Sequence, residues 1–174
     1  ITQIDEVKEI LFNGIEKVIL NKMALTQPEF ISRIEERVGS QSIAVSMDVK
    51  KNWLGKYRLY SDNGSKIVRE DPEELAARFE KMGAGEILLN SIDRDGTYEG
   101  YDIEILRRVS NAVTIPVIAC GGASGIDDFR MAVTDGHASA VAAGSMFVFQ
   151  RPHHAVLISY PSPVELKEKL YTRL

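Results

Sequence analysis

Short apolar runs alternate with longer amphipathic stretches along this chain of 174 residues. Ile4, Val7, Ile10 and Leu11 recur at helical spacing over residues 4–13, and Gly14 stops the run. Residues 17–20 form a short run rich in β-branched side chains and read as a buried strand, followed by loop at 21–26. Phe30, Ile31, Ile34 and Val38 predict a helix near 27–37, with Thr26 as its N-cap and Pro28 in its first turn. A strand at 42–47 ends at Asp48. The stretch 49–70 is the longest without helical spacing. Tyr57, Leu59 and the Asp62-Asn63-Gly64 turn signal predict a small hairpin there. Helix follows over 72–82 with Asp71 as N-cap, then strand at 86–89, a polar loop at 91–100 and helix near 103–110. Strand 116–119 leads into Gly121-Gly122 and a helix near 126–134. Strand 138–142 leads into Gly144-Ser145, and a proline-bearing tail ends in a helix near 164–170.

Helices and strands therefore alternate, which predicts a parallel α/β sheet. The strands are apolar throughout, as strands covered on both faces should be. Two architectures fit this order. An open flavodoxin-like sheet accommodates five strands at this length, whereas a (β/α)8-barrel needs about 250 residues. Periodicity does not separate them. The polar positions favour the barrel. Asn21, Asp48, Asn90 with Asp93 and Asp95, Gly121-Gly122, and Gly144-Ser145 all follow strands. In a barrel every strand end opens on one shared face, while an open sheet privileges only its switch point. The expectation is a single domain over residues 1–174, a partial TIM (β/α)8-barrel lacking its first three strands. The chain opens with Ile1 inside a helix-like pattern, which fits that expectation.

Composition narrows the function classes. Hydrophobic residues make up 44% and charged residues 26%, ordinary values for a folded globular chain. The net charge of −4 offers no basic surplus for nucleic acid. No apolar run reaches the roughly 18–20 residues of a membrane helix. The lone Cys120 excludes an internal disulfide and fits a reducing, cytoplasmic setting. His137, His153 and His154 show no metal-ligand spacing, and no metal or cofactor is expected; His153-His154 read as solvated tail.

Chemistry concentrates at the strand ends. Glycines in Gly121-Gly122 and Gly144-Ser145 let backbone N–H groups approach an anion, and a following helix N-terminus adds favourable polarity. One such turn is equally a tight βα connection. A pair after the last two strands is the usual phosphate site of a barrel. Asp48 at a barrel mouth suits proton transfer, with a cap or an ion pair to Lys50 or Lys51 as the plainer alternative. The loop 91–97 offers Asp95 and backbone N–H groups to a ligand, or else satisfies itself through an Asp93–Arg94 pair. Cys120 reads as packing, since no base partner is evident. Trp53 and Tyr57 either cover the site or pack within the hairpin.

Residues 83–97, Gly-Ala-Gly-Glu-Ile-Leu-Leu-Asn-Ser-Ile-Asp-Arg-Asp-Gly-Thr, closely resemble the sixth-strand signature of the cyclase subunit family of imidazole glycerol phosphate synthase. Residues 13–24 resemble that family's fourth strand, and residues 45–50 its fifth. Residues 118–123 and 142–145 resemble its seventh and eighth strands. The resemblance implies a barrel that takes ammonia from a glutaminase partner. It cleaves and cyclises a phosphoribulosyl-formimino aminoimidazole carboxamide ribotide to imidazole glycerol phosphate, in histidine biosynthesis. Asp48 falls on one of two aspartates that act as general acid and base, and the other belongs to the absent first strand. Asp95, Gly96, Gly121, Gly122, Gly144 and Ser145 fall on one substrate phosphate site, and Asn21 and Lys22 on what remains of a second. Lys17 and Glu86 fall on the charged ammonia gate at the opposite barrel mouth, and Glu16 on a contact with the glutaminase.

The departures are Lys22, where the family usually has Thr or Ser, Asn90, where many members have Thr, and the tail 147–161. That tail resembles a divergent branch linked to sugar amidation in lipopolysaccharide or surface-polysaccharide synthesis. A chain of five strand units also implies open barrel edges and self-association as an inactive fragment.

Overall fold

The structure is a computed structural model that describes residues 1–61, 64–150 and 155–174. In chain order its strands are β1 (Val18–Leu20), β2 (Ile43–Lys51), β3 (Tyr57–Ser61), β4 (Lys66–Val68), β5 (Glu86–Ser91), β6 (Val117–Cys120), β7 (Ala140–Val141), β8 (Phe149–Gln150) and β9 (Ala155–Val156). Its α-helices are α1 (Ile4–Phe12), α2 (Lys22–Thr26), α3 (Glu29–Val38), α4 (Pro72–Lys81), α5 (Ile103–Ala112), α6 (Ile126–Thr134), α7 (Ser145–Val148) and α8 (Pro163–Lys169).

Strands β1, β2, β5, β6 and β7 pair in parallel, each with the next in the chain. The order never reverses, so there is no switch point of the kind a doubly wound sheet requires. A sequential parallel order is an arc of a (β/α)8-barrel. Burial agrees. Val45, Met47, Ile87, Leu89, Val117 and Ala119 alternate along the strands and pack under the helices. The opposite face is covered less, and Ile19 on it is 53% exposed. Phe30, Ile31 and Ile34 of α3, Leu75 and Phe79 of α4, and Ile105, Leu106 and Val109 of α5 supply the helical side of the core.

Strand β2 is longer than expected and runs through Asp48 rather than ending there. Its first half pairs with β1, and residues 48–51 pair antiparallel with β3, both on the edge away from β5. With β4 this gives the expected hairpin, although Asp62 and Asn63 of its turn lie outside the described residues. Tyr57 anchors it. Its hydroxyl donates to Asp102 Oδ1 at 2.7 Å, with Glu104 Oε2 at 3.1 Å. Lys51 and Arg108 lie over its ring, 4.7 and 5.4 Å from the centroid. Trp53, by contrast, is 90% exposed at the tip and neither packs in the hairpin nor covers the sheet.

Two further expectations are corrected, and two are borne out with added detail. The stretch 21–26 is not all loop, because Lys22–Thr26 coils into α2. Thr26 is therefore not the cap of α3. Its hydroxyl donates back to the Lys22 carbonyl, and Pro28 stands at the cap position. Asp71 stands at the N-cap of α4 but makes no side-chain cap bond; it accepts from Arg58 at 2.9 Å. The tail folds as α7, the small β8–β9 hairpin and α8. Phe147 holds it down, 6.2 Å from the Phe129 ring and 4.8 Å from the Tyr160 ring between centroids. His153 and His154 lie outside the described residues. Among the described residues no helix is long and apolar enough to cross a membrane.

Two predictions follow from this packing. A methyl group on Gly85 would stand 2.1 Å from the Ser40 carbonyl oxygen, a backbone atom with no room to retreat. Gly85→Ala should destabilise the fold by about 1–3 kcal/mol through overpacking, read from urea unfolding. Burial, reinforced by the Asp102 and Glu104 carboxylates, raises the pKa of the Tyr57 phenol well above its ordinary value. The unfolded chain loses that proton near pH 10 while the fold keeps it, so stability falls as pH rises past about 10. Urea midpoints across that range should fall less steeply in Tyr57→Phe.

Candidate active site

The register sorts the concave face of the sheet into rows, because partnered residues on parallel strands share a face. Nearest the strand N-termini, Ile19, Ala44 and Glu86 align. Ser46, Leu88, Ile118 and Ala140 form the next row. Asp48, Asn90 and Cys120 form the row at the C-terminal ends. A largely apolar middle thus separates a charged end from a polar one.

At the charged end Lys17 reaches across β2 to an ion pair with Glu86. Lys17 directly precedes β1 and Glu86 opens β5, on either side of β2, so the pair bridges the concave face rather than decorating one strand. Glu16 is exposed beside it.

At the polar end both oxygens of Asp48 are held by carboxamides. Asn90 Nδ2 donates to Oδ1 at 3.0 Å. Asn21 Nδ2 donates to Oδ2 at 3.1 Å and lies 3.2 Å from the Ser46 carbonyl oxygen. Asp48 makes no ion pair with Lys50 or Lys51; Lys51 pairs with Glu104 at 2.9 Å. Lys22 is exposed at the start of α2, next to Asn21. Cys120 completes the row. Burial, with the charges of Asp95 and then Asp48, pushes its thiol pKa up, against a smaller opposing pull from the Gly121 N–H.

Three loops close over this end. Arg94 organises the first. Its Nη1 donates to the carbonyls of Glu99 at 3.2 Å and Gly100 at 3.1 Å, and its Nε lies 3.8 Å from Asp102. The Asp93–Arg94 pair, one of the two alternatives for this loop, does not form. Asp93 instead accepts from Ser91 Oγ at 3.1 Å. Asp95 and Gly96 are left exposed on the loop. The Gly100 N–H donates to the Gly122 carbonyl at 2.9 Å, and Tyr98 Oη to the Ser145 carbonyl at 3.1 Å. Tyr101 Oη donates to the Ala142 carbonyl at 2.9 Å. Gly96 and Ser145 become neighbours, with 3.8 Å between Ser145 Oγ and the place a Gly96 Cβ would take.

Gly121 and Gly122 both adopt left-handed backbone, with φ of 90° and 103°. A Cβ on Gly122 would stand 2.3 Å from the Gly100 carbonyl oxygen, so only glycine fits where these loops touch. At the start of α6 a capping interaction takes two N–H groups: Asp128 accepts from the Ser124 N–H at 2.7 Å and the Gly125 N–H at 3.2 Å. Gly144 leads into only the single turn of α7. The left-handed glycine turns present backbone N–H groups of the kind that can cradle an anion. Tyr98 and Tyr101, which tie the loops together, were not evident in the sequence. Tyr98 holds a left-handed φ of 62° that no local pattern announces. Among the described residues no group of His, Cys, Asp and Glu side chains could hold a metal ion.

Residues 1–152 match the family described as histidine biosynthesis protein. A Pseudomonas aeruginosa protein provisionally named imidazole glycerol phosphate synthase subunit hisF2 is 44% identical over 161 residues, covering 92% of this chain and 64% of the relative. A Leptospira borgpetersenii protein with a provisional name of the same kind is 40% identical over 172 residues, 98% of this chain and 67% of the relative. The imidazole glycerol phosphate synthase subunit HisF of Chlorobaculum tepidum is 45% identical over 150 residues, 86% of this chain and 59% of the relative. The chain thus spans about three fifths to two thirds of the length of these curated relatives.

With its pKa raised, the Cys120 thiol should react with iodoacetamide more slowly than free cysteine at the same pH. Unfolding in urea should restore the ordinary rate; fast alkylation of the folded chain would contradict the burial described.

Proposed function

This chain belongs to the histidine biosynthesis protein family, among the cyclase subunits of imidazole glycerol phosphate synthase, and we propose that it forms the catalytic part of an ammonia-using cyclase barrel. The observation that carries the reading is the polarity of the concave face. A charged pair stands at one end, and a carboxylate with convergent glycine turns at the other.

Ammonia, released by a glutaminase subunit docked near Glu16, enters past Lys17 and Glu86. It travels past Ile19 and then the row of Leu88, Ile118 and Ala140. At the far end it meets a phosphoribulosyl-formimino aminoimidazole carboxamide ribotide. One substrate phosphate rests on Gly121, Gly122, Gly144 and Ser145, with Asp95 and Gly96 on the neighbouring loop, and the other near Asn21 and Lys22. Asp48 exchanges protons with the reacting atoms as ammonia adds and the chain is cleaved and cyclised. The products are imidazole glycerol phosphate, an aminoimidazole carboxamide ribotide and one water, which carries off the carbonyl oxygen lost in ring closure. The overall reaction belongs to the lyases, needs no metal or cofactor, and fits a cytoplasmic setting.

A second reading is an ammonia-channelling relative serving sugar amidation. It starts from the tail at 147–161, which departs from the family's usual ending. The two provisionally named relatives align over 161 and 172 residues, into the tail, whereas the alignment with the Chlorobaculum tepidum subunit covers 150.

Residues 1–174 alone are expected to show no cyclase turnover with ammonium salt, and to self-associate through the free edges of β1 and β7 in equilibrium sedimentation. Placed in a complete barrel, the segment should support turnover of the nucleotide, and Asp48→Asn should lower kcat by roughly 100-fold or more with a smaller change in KM. A complete barrel that folds and binds a glutaminase but never turns the nucleotide over would sink the first reading in favour of the second.

A further inference from the structure

Asn90 stands between two features that the cyclase reading treats separately. Its Cα is in register with Asp48 on one side and Cys120 on the other. Its carboxamide nitrogen donates to Asp48 Oδ1 at 3.0 Å. The carboxamide oxygen is buried, and among the described residues no donor reaches it. That oxygen faces the Gly121 turn: a Cβ on Gly121 would stand 3.1 Å from it and 2.6 Å from the Ser91 carbonyl oxygen.

The amide cannot be reversed, because turning it over would set one acceptor oxygen against another at Asp48. Its orientation therefore leaves a buried acceptor unsatisfied, an arrangement that costs free energy and calls for an explanation. A threonine hydroxyl at this position could also donate to Asp48, but it would place no carboxamide oxygen against the turn.

We propose that Asn90 is a positioning residue for Asp48, and that its carboxamide transmits the state of the Gly121–Gly122 turn to that carboxylate. The proposal rests on the cyclase reading and deepens it. An anion drawn to the Gly121 and Gly122 amides shifts the backbone against which the Asn90 oxygen lies. The side chain has no slack, since its other end grips Asp48. Asn21 holds the second Asp48 oxygen at 3.1 Å and serves as the pivot. Occupation of the phosphate turn would thereby set the direction of the carboxylate before chemistry begins.

The test uses the chain labelled with 15N and 13C, titrated with inorganic phosphate at constant pH and ionic strength. The Gly121 and Gly122 backbone amides, the Asn90 side-chain amide and the Asp48 carboxyl carbon should move along one curve with a single midpoint. In Asn90→Leu the glycine amides should still respond, and the Asp48 response should vanish. Asn90→Thr, which keeps a donor but not the oxygen at the turn, should retain little of that response and replaces the leucine variant if the latter does not fold. An Asp48 carbon that still responds in the variants would overturn the link through Asn90. Glycine amides that move while Asn90 and Asp48 stay still in the unaltered chain would overturn it too, with the phosphate site intact. Glycine amides that never move would remove the phosphate site and the link together.

Discussion

The pairing of β2 with β5 is the constraint on which the rest of the structure depends. Residues 44–49 lie in parallel register against residues 86–91. Side chains alternate along a strand, so a slip of one residue would exchange the two faces completely. Asp48 and Ser46 would turn under the helices, and Val45 and Met47 would turn toward the open side. The apolar residues on the helical side forbid that slip, because Val45, Met47, Val49, Ile87 and Leu89 are all buried together. The contact between Asp48 and Asn90 is thus fixed by residues that take no part in chemistry. Everything at the polar end inherits its geometry from this packing.

Much of the scaffold could be read from the chain because buried parallel strands advertise themselves. The apolar runs at 17–20, 86–89 and 116–119 fall within a residue or two of β1, β5 and β6. Asp48 and the glycine turns stood out for the same reason, as polar or flexible residues directly after apolar ones. What escaped depends on partners distant in sequence. Lys50 and Lys51 look like loop residues until β3 lies alongside them. The alternative of an Asp93–Arg94 pair gives way because Arg94 finds backbone carbonyls and Asp102, which no spacing rule exposes. The final parallel strand is shorter than its apolar run, since β7 pairs only through Ala140 and Val141. The double hold on Asp48 required the register of strands separated by whole helices.

The two ends of the concave face differ in how they are built. The Lys17–Glu86 pair needs only two long side chains at the starts of β1 and β5, which flank β2, and it is partly exposed. The opposite end is assembled from backbone: three loops meet through main-chain carbonyls, left-handed glycines and two tyrosine hydroxyls. Backbone contacts of this kind leave little freedom for substitution but fix N–H groups in place, as an anion site demands. The long polar loop after β5 contributes to each of these contacts, which accounts for its density of polar residues.

Strand β2 carries two different neighbours along one edge, β1 through residue 45 and β3 from residue 48 onward. The β3–β4 hairpin therefore joins the sheet only beyond the last residues that β1 pairs with. It also carries its own anchor in Tyr57, clasped to the first turn of α5. Such an appendage is separable. A lineage can lengthen, trim or recolour this hairpin, and the β2–β3 turn that bears Trp53, while leaving the paired parallel strands beneath untouched. Diversification of what the rim encounters is thereby decoupled from maintenance of the polar floor.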